Sequence, residues 1–207
     1  MMISDSSRLL FVHVQKTGGS TIDNGLTAAL GDVRRIAAAQ RHAPLGRLLE
    51  LEPDLASYWI VGFVRNPWSR LLSWWRMIER FRVGAATGNE RHQQHLQRND
   101  FIRGVLETCD DFEGFVLRAV DAFPRLHTPQ TDYLFTPTRR ADFVGRQETL
   151  ERDLRAVHAR LDLPWVELES VNIDPGRPDY RDVYTEAMRR KVAEVYARDI
   201  DNFAYSY

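Results

Sequence analysis

Two short stretches of this chain combine residue types suited to holding anions. Gln15-Lys16-Thr17-Gly18-Gly19-Ser20-Thr21 places an ammonium, two glycines and three hydroxyls within seven residues. Glycines let a backbone approach its ligand closely, and successive N–H groups entering a helix favour negative charge. The order differs from the triphosphatase pattern GxxxxGK[ST], because Lys16 precedes the glycines. Alone, a Gly-Gly pair also reads as a tight turn. The second stretch begins at Arg65, with Ser73 eight residues further on. A guanidinium there suits bidentate phosphate recognition, and the serine adds a hydroxyl. Arg65 alone would read as a surface ion-pair residue. Together the two stretches point to a nucleotide with phosphates at both ends.

A transfer to a hydroxyl also needs a proton acceptor, and histidine titrates nearest neutrality. The six candidates are His13, His42, His92, His95, His127 and His158. His13 falls in the first apolar run and reads as a packed strand residue. His42 lies on a connecting stretch. His92 and His95 have HxxH spacing, but no metal site is expected there. His158 is expected to face solvent from a helix. Trp68, Trp74 and Trp75 could stack on a sugar, although their helical spacing favours core, for Trp75 at least. Arg139-Arg140 reads as a solvated charged turn.

The elements that must position these groups follow from apolar periodicity. Leu9 to Val14 is the pattern of a strand buried on both faces. It breaks at the glycines, and helical spacing resumes at Ile22, Leu26 and Leu30. A second strand runs from Tyr58 to Val64, and Pro67 then opens a helix through Leu71, Leu72, Trp75 and Ile78. Residues 83–99 read as a mobile surface segment. Amphipathic stretches follow at Phe101–Leu106 and Phe112–Val120. Ala141 to Gly145 is a short strand preceding a helix through Leu150, Leu154, Val157 and Leu161. A last helix is capped by Thr185 and carries Met188, Val192, Val195, Tyr196, Ile200 and Phe203 on one face. Strands alternating with helices predict an α/β fold, three-layered around a central parallel sheet. Ligands on such sheets sit at the carboxyl ends of strands, where both basic stretches fall.

Composition excludes several classes. The chain has 207 residues, 43% hydrophobic and 28% charged, which fits one globular domain over residues 1–207. A formal net charge of −1 argues against a nucleic-acid partner. One cysteine, Cys109, excludes an internal disulfide and a Cys-rich zinc site. No window of 18 apolar residues occurs and the N-terminus is polar, so no membrane association is expected and a cytoplasmic location is the default. Of the 28 basic residues all but Lys16 and Lys191 are arginine. Lys191, beside Arg189 and Arg190, reads as solvated.

Phe11 to Thr21 resembles the 5′-phosphosulfate loop of the sulfotransferases, which usually has Pro where Gln15 stands. Val64-Arg65-Asn66-Pro67-Trp68-Ser69-Arg70-Leu71-Leu72-Ser73 resembles their 3′-phosphate motif. The likeness is strongest to the carbohydrate branch, with the heparan 2-O and chondroitin 4-O enzymes and short bacterial relatives. It continues through Pro129–Leu134, Phe143–Arg146 with Glu148, and Tyr180–Tyr184 to Asp199. The resemblance implies 3′-phosphoadenosine 5′-phosphosulfate (PAPS) as donor, no metal, and a hydroxyl-bearing small molecule or saccharide as acceptor. It implies that the amides of Thr17, Gly18, Gly19, Ser20 and Thr21, with the Ser20 and Thr21 hydroxyls, hold the 5′-phosphate. Lys16 would neutralise the leaving oxygen, and Arg65 and Ser73 would hold the 3′-phosphate. Arg41-His42-Ala43-Pro44 resembles a basic-His-Ala-Thr stretch of the bacterial relatives, which makes His42 the candidate base, with Glu148 and Asp132 as carboxylate alternatives. A P-loop kinase and a non-catalytic nucleotide binder are the competing readings. The kinase needs a metal-holding Asp at the end of the second strand, where this chain has Arg65-Asn66.

Overall fold

Leu9, Leu10, Phe11 and Val12 are all buried in the computed structural model, where they form the strand β2 (Leu9–Val12). The structure describes residues 1–165, 167 and 178–207. β2 pairs in parallel with β4 (Trp59–Val64), and β4 in parallel with β5 (Phe143–Arg146). The sheet is not wholly parallel, however. β1 (Met2–Ser4) lies antiparallel to β2, and β3 (Val33–Arg34) antiparallel to β1, giving the order β3-β1-β2-β4-β5. Strands of three and two residues are too short to show an alternating pattern, so neither carries a periodic signal in the sequence.

The chain falls into two compact units, Met1–Arg65 with Gln130–Gly176, and Asn66–Pro129 with Arg177–Tyr207. The first contains the sheet. Leu9, Phe11, Val61 and Phe63 on one face pack against Ile22 and Leu26 of the helix Gly19–Ala29 and Leu154 and Val157 of the helix Leu150–Arg160. On the other face, Leu134 of the helix Gln130–Leu134 sits where a Cβ on Gly62 would be. Helices therefore cover both faces. Burying Ile22, Leu26, Leu154 and Val157, four aliphatic side chains of those two longer helices, contributes about 1.5–3 kcal/mol each.

β2 ends at Val12, two residues short of the apolar run. His13 and Val14 spend their carbonyls elsewhere: His13 O accepts from the His42 ring at 3.0 Å, and Val14 O from the Thr17 hydroxyl at 2.9 Å. The ladder thus gives way to side-chain bonds where the glycine turn begins.

The second unit is helical. Its core gathers Trp68, Leu71, Leu72, Trp74, Trp75 and Ile78 of the helix Pro67–Ala86 with Ile102, Val105, Phe115, Met188 and Val192. Asn66 caps that helix, accepting from Trp68 N and Ser69 N, and Pro67 occupies its first turn as expected. Residues 83–99, expected to be a surface segment without regular structure, are mostly helical: the Pro67 helix runs on to Ala86, and Glu90–Arg98 forms another behind an Asn89 cap. No residue of Glu90–Arg98 is buried, which removed the apolar signal that marks a helix. The last helix is two, Glu186–Val195 and Ala197–Phe203, broken at Tyr196, whose hydroxyl donates to Leu126 O. Thr185 caps the first of them, as its position predicts. Among the described residues, no helix is long and apolar enough to cross a membrane.

Candidate functional site

The glycine turn leaves β2 with an alternating backbone. Lys16 has φ 68° and Gly18 φ 81°, whereas Thr17 between them is not in the left-handed region. Left-handed residues alternating with others are a backbone pattern compatible with grouping N–H donors around an anion. Gly18 is also the N-cap of the helix Gly19–Ala29, so the turn leads directly into a helix N-terminus. Gly19 is required by close approach: a Cβ there would stand 2.1 Å from His13 Nε2. Thr17, Gly19 and Thr21 are buried, while Lys16, Gly18 and Ser20 are half-buried.

Gly18→Ala is expected to destabilise the fold by about 1–2 kcal/mol, because a Cβ is strained at positive φ. The added Cβ also meets Leu150 Cδ2 at 3.2 Å, but that is the end of a side chain and can yield. Denaturant unfolding checks the figure, and a variant as stable as wild type would contradict it.

Arg65 follows the last residue of β4, only 4% exposed. Its backbone is clamped by the Gln130 side chain, which accepts from Arg65 N at 2.9 Å and donates to Arg65 O at 2.8 Å. Gln130 is wholly buried and extends the sheet's hydrogen bonding with a side-chain amide. The guanidinium Nη1 donates to Lys16 O at 3.3 Å. The side chain of one basic residue picked out in the sequence therefore reaches the backbone of the other, in the turn that follows the adjacent parallel strand.

His42 lies on the turn before the helix Leu45–Leu51 and packs edge-on against His13, ring centroids 4.5 Å apart. Its Nδ1 is 3.0 Å from His13 O. A carbonyl oxygen can only accept, so Nδ1 carries the proton and Nε2 is the basic nitrogen of the neutral ring. His13, 4% exposed, is also stacked on Phe11 and accepts at Nδ1 from Arg41 Nε at 3.3 Å. Burial, and then the charges of His42, the terminal amine, Arg41 and Arg35, push its pKa down to about 2. His13 is thus a neutral packing residue, and His42 stands beside it as the half-buried histidine nearest the glycine turn.

That shift has a measurable consequence. An unfolded chain takes up the His13 proton below about pH 6.5, whereas the folded chain refuses it down to about pH 2. Stability is therefore fully present above pH 6.5 and falls with acidification. His13→Asn retains an acceptor oxygen where Nδ1 stood and cannot titrate. Between pH 7.5 and 5.5 wild type is expected to lose about 1.4 kcal/mol more than His13→Asn, by denaturant unfolding. Parallel losses would show that His13 titrates normally.

A family model described as the sulfotransferase family matches residues 1–206. The chain belongs to the sulfotransferase family. No curated protein matches it. Sulfuryl transfer is accordingly the chemistry this site has to explain.

The remaining expectations divide. In this sulfotransferase chain Ser73 is half-buried on the Pro67–Ala86 helix, in the second unit, and its assignment to a 3′-phosphate rests on the motif. Glu148 is exposed on the short turn after β5, and Asp132 is half-buried on the helix Gln130–Leu134. His158 is buried at 2% exposure, contrary to its expected solvation, with Nδ1 donating to Pro164 O at 2.9 Å. The Leu150 helix turns that side chain inward, which its Arg and Ala neighbours did not reveal. His92 and His95 both pack on Phe81, at 5.0 and 4.1 Å. Among the described residues no His, Cys, Asp or Glu group is arranged to hold a metal. Lys191 is ion-paired to Asp121 at 2.7 Å with its side chain 23% exposed, so it is not simply solvated. All three tryptophans, Trp68, Trp74 and Trp75, are buried, which removes them as a sugar platform. Arg139 pairs with Asp142 at 2.6 Å, and Arg140 lies over the Phe135 ring.

Sequence reasoning missed Gln130, Arg41 and Asp23 as parts of the site's support. Gln130 stands inside a stretch already matched to the family, and Arg41 precedes His42. Nothing local to Asp23 marks it as a buried carboxylate that Arg35 grips through both oxygens, at 3.0 and 2.8 Å.

Proposed function

We propose that this sulfotransferase moves the sulfuryl group of 3′-phosphoadenosine 5′-phosphosulfate onto an acceptor hydroxyl, a saccharide hydroxyl among the expected acceptors. The reading treats residues 1–207 as one catalytic domain. Its main support is the Arg65 guanidinium donating to the Lys16 carbonyl, a contact between the stretch after β4 and the glycine turn after β2. The alternating backbone from Lys16 to Gly18 suits the donor's 5′-phosphate, with the Ser20 and Thr21 hydroxyls at the start of the helix behind it. Arg65 takes the 3′-phosphate, the feature that distinguishes this donor from ATP.

In this mechanism the acceptor oxygen attacks sulfur in line, forming an O–S bond while the bond from sulfur to the bridging oxygen breaks. The acceptor proton passes to His42 Nε2. The negative charge left on the phosphate oxygen is stabilised by the Lys16 ammonium, a compact point charge that can follow it onto one atom. The carbonyl of His13 orients the base by holding its other nitrogen. Desolvation of the site strengthens both interactions.

Release of adenosine 3′,5′-bisphosphate from the donor, followed over a panel of hydroxyl acceptors, tests the reading. Turnover that depends on acceptor and needs no divalent cation supports it. ATP-dependent, Mg²⁺-dependent phosphoryl transfer to the same acceptors would overturn it in favour of a kinase.

A further inference from the structure

Arg41 touches more of this site than its neighbours in sequence suggest. Its Nε donates to His13 Nδ1 at 3.3 Å and its Nη2 to Ser20 Oγ at 3.2 Å. Nη2 also lies 3.6 Å from Asp23 Oδ2, a carboxylate only 7% exposed and already anchored by Arg35. One guanidinium thus links the strand end, the first turn of the Gly19 helix and a fixed carboxylate within that helix. Half of the Arg41 side chain remains exposed, so it is not a core residue retained for packing.

A guanidinium has donors and no acceptor. Ser20 Oγ must therefore receive the Arg41 proton in a lone pair, which leaves the serine's own O–H to be donated elsewhere. His13 Nδ1 must likewise be unprotonated, so that ring is the Nε2–H tautomer. Its carbonyl and ring face are what His42 rests on.

We propose that Arg41 is a positioning residue: it fixes the proton of Ser20 toward the donor's 5′-phosphate and fixes the His13 ring against which the base His42 is held. This inference rests on the donor reading above. It predicts that Arg41 acts on donor affinity and on the His13 tautomer together, because one planar group sets both. A lysine at this position has one nitrogen in place of a fork and cannot reproduce the same pair of directed bonds.

The test uses the full chain and adenosine 3′,5′-bisphosphate as probe, with affinity measured by calorimetry and the His13 ring followed by ¹⁵N NMR. Arg41→Ala is expected to weaken binding about tenfold, the scale of one hydrogen bond to a charged group. The His13 ring is expected to change from the Nε2–H form to a mixture of tautomers. Arg41→Lys recovers part of the affinity only. Arg47→Ala controls for the loss of a surface charge, since Arg47 pairs with Glu50 at 3.0 Å in an exposed i,i+3 contact. Its affinity should match wild type. Binding by Arg41→Ala within twofold of wild type overturns the proposal. A loss of affinity with the His13 tautomer unchanged also overturns it, as the effect would then be general destabilisation. Should wild type itself fail to bind the bisphosphate, the donor reading falls and this inference falls with it, a result distinct from either of the others.

Discussion

His42→Asn is expected to lower kcat/KM for sulfuryl transfer about 10²–10⁴-fold, the usual worth of a positioned general base. Asparagine is the informative replacement because its side-chain amide can still donate where Nδ1 donates, to the His13 carbonyl 3.0 Å away. The support of the turn is kept while the basic nitrogen, Nε2, is removed. The sign of the pH effect follows from the role. Wild type should gain rate as rising pH deprotonates His42, and that limb should vanish from the residual activity of the variant. Bisphosphate affinity should stay within a few-fold of wild type, since His42 is assigned to the acceptor side. Steady-state rates across pH decide the matter. An unchanged pH profile in His42→Asn would transfer the role of base to another group, with Glu148 and Asp132 the first to replace.

The second large effect is expected at Lys16. Lys16→Ala should reduce kcat about 10²–10³-fold, the cost of losing one group aimed at charge that develops in the transition state. Alanine and lysine carry the same Cβ, so at φ 68° both bear the same backbone strain and the turn should keep its shape. The loss should therefore fall on kcat more than on donor KM, because the leaving oxygen becomes fully charged only as the sulfuryl group departs. Lys16→Arg should restore charge without restoring rate in full, since a planar guanidinium spreads charge that the ammonium concentrates. Equal losses in kcat and in bisphosphate affinity would reassign Lys16 to ground-state binding.

The elements that carry this candidate site were legible in the sequence because their signals are local. A glycine pair after an apolar run, and an arginine before Asn-Pro after another, each specify a strand end and a helix start within ten residues. Pro67 in the first turn of its helix and the turn at the glycines agree with that reading, whereas the Asn66 cap emerged only from the structure. Long-range contacts were a different matter. The inward turn of His158 depends on how the Leu150 helix packs, and the ion pair of Lys191 depends on Asp121, seventy residues away. The short antiparallel strands β1 and β3 carry too few residues for a periodic signal. The helix Glu90–Arg98 has no fully buried residue, so its sequence resembled a surface loop, although Asn89 and Asn99 stand at the caps. Gln130 shows the same limit at the site itself: a glutamine that completes β4's hydrogen bonding at Arg65 becomes visible only when the two backbones are brought together.

The most direct test of the account compares adenosine 3′,5′-bisphosphate with adenosine 5′-monophosphate, titrated into wild type and Arg65→Ala. The two ligands differ only in the 3′-phosphate, so the ratio of their dissociation constants isolates the group that Arg65 is assigned to hold. Wild type should prefer the bisphosphate, and Arg65→Ala should lose roughly 1.5–3 kcal/mol of that preference, or about 10–150-fold, while binding the monophosphate nearly as before. Equal affinity of wild type for the two nucleotides, or a preference that survives in Arg65→Ala, would contradict the assignment of the second strand end to the donor's 3′-phosphate.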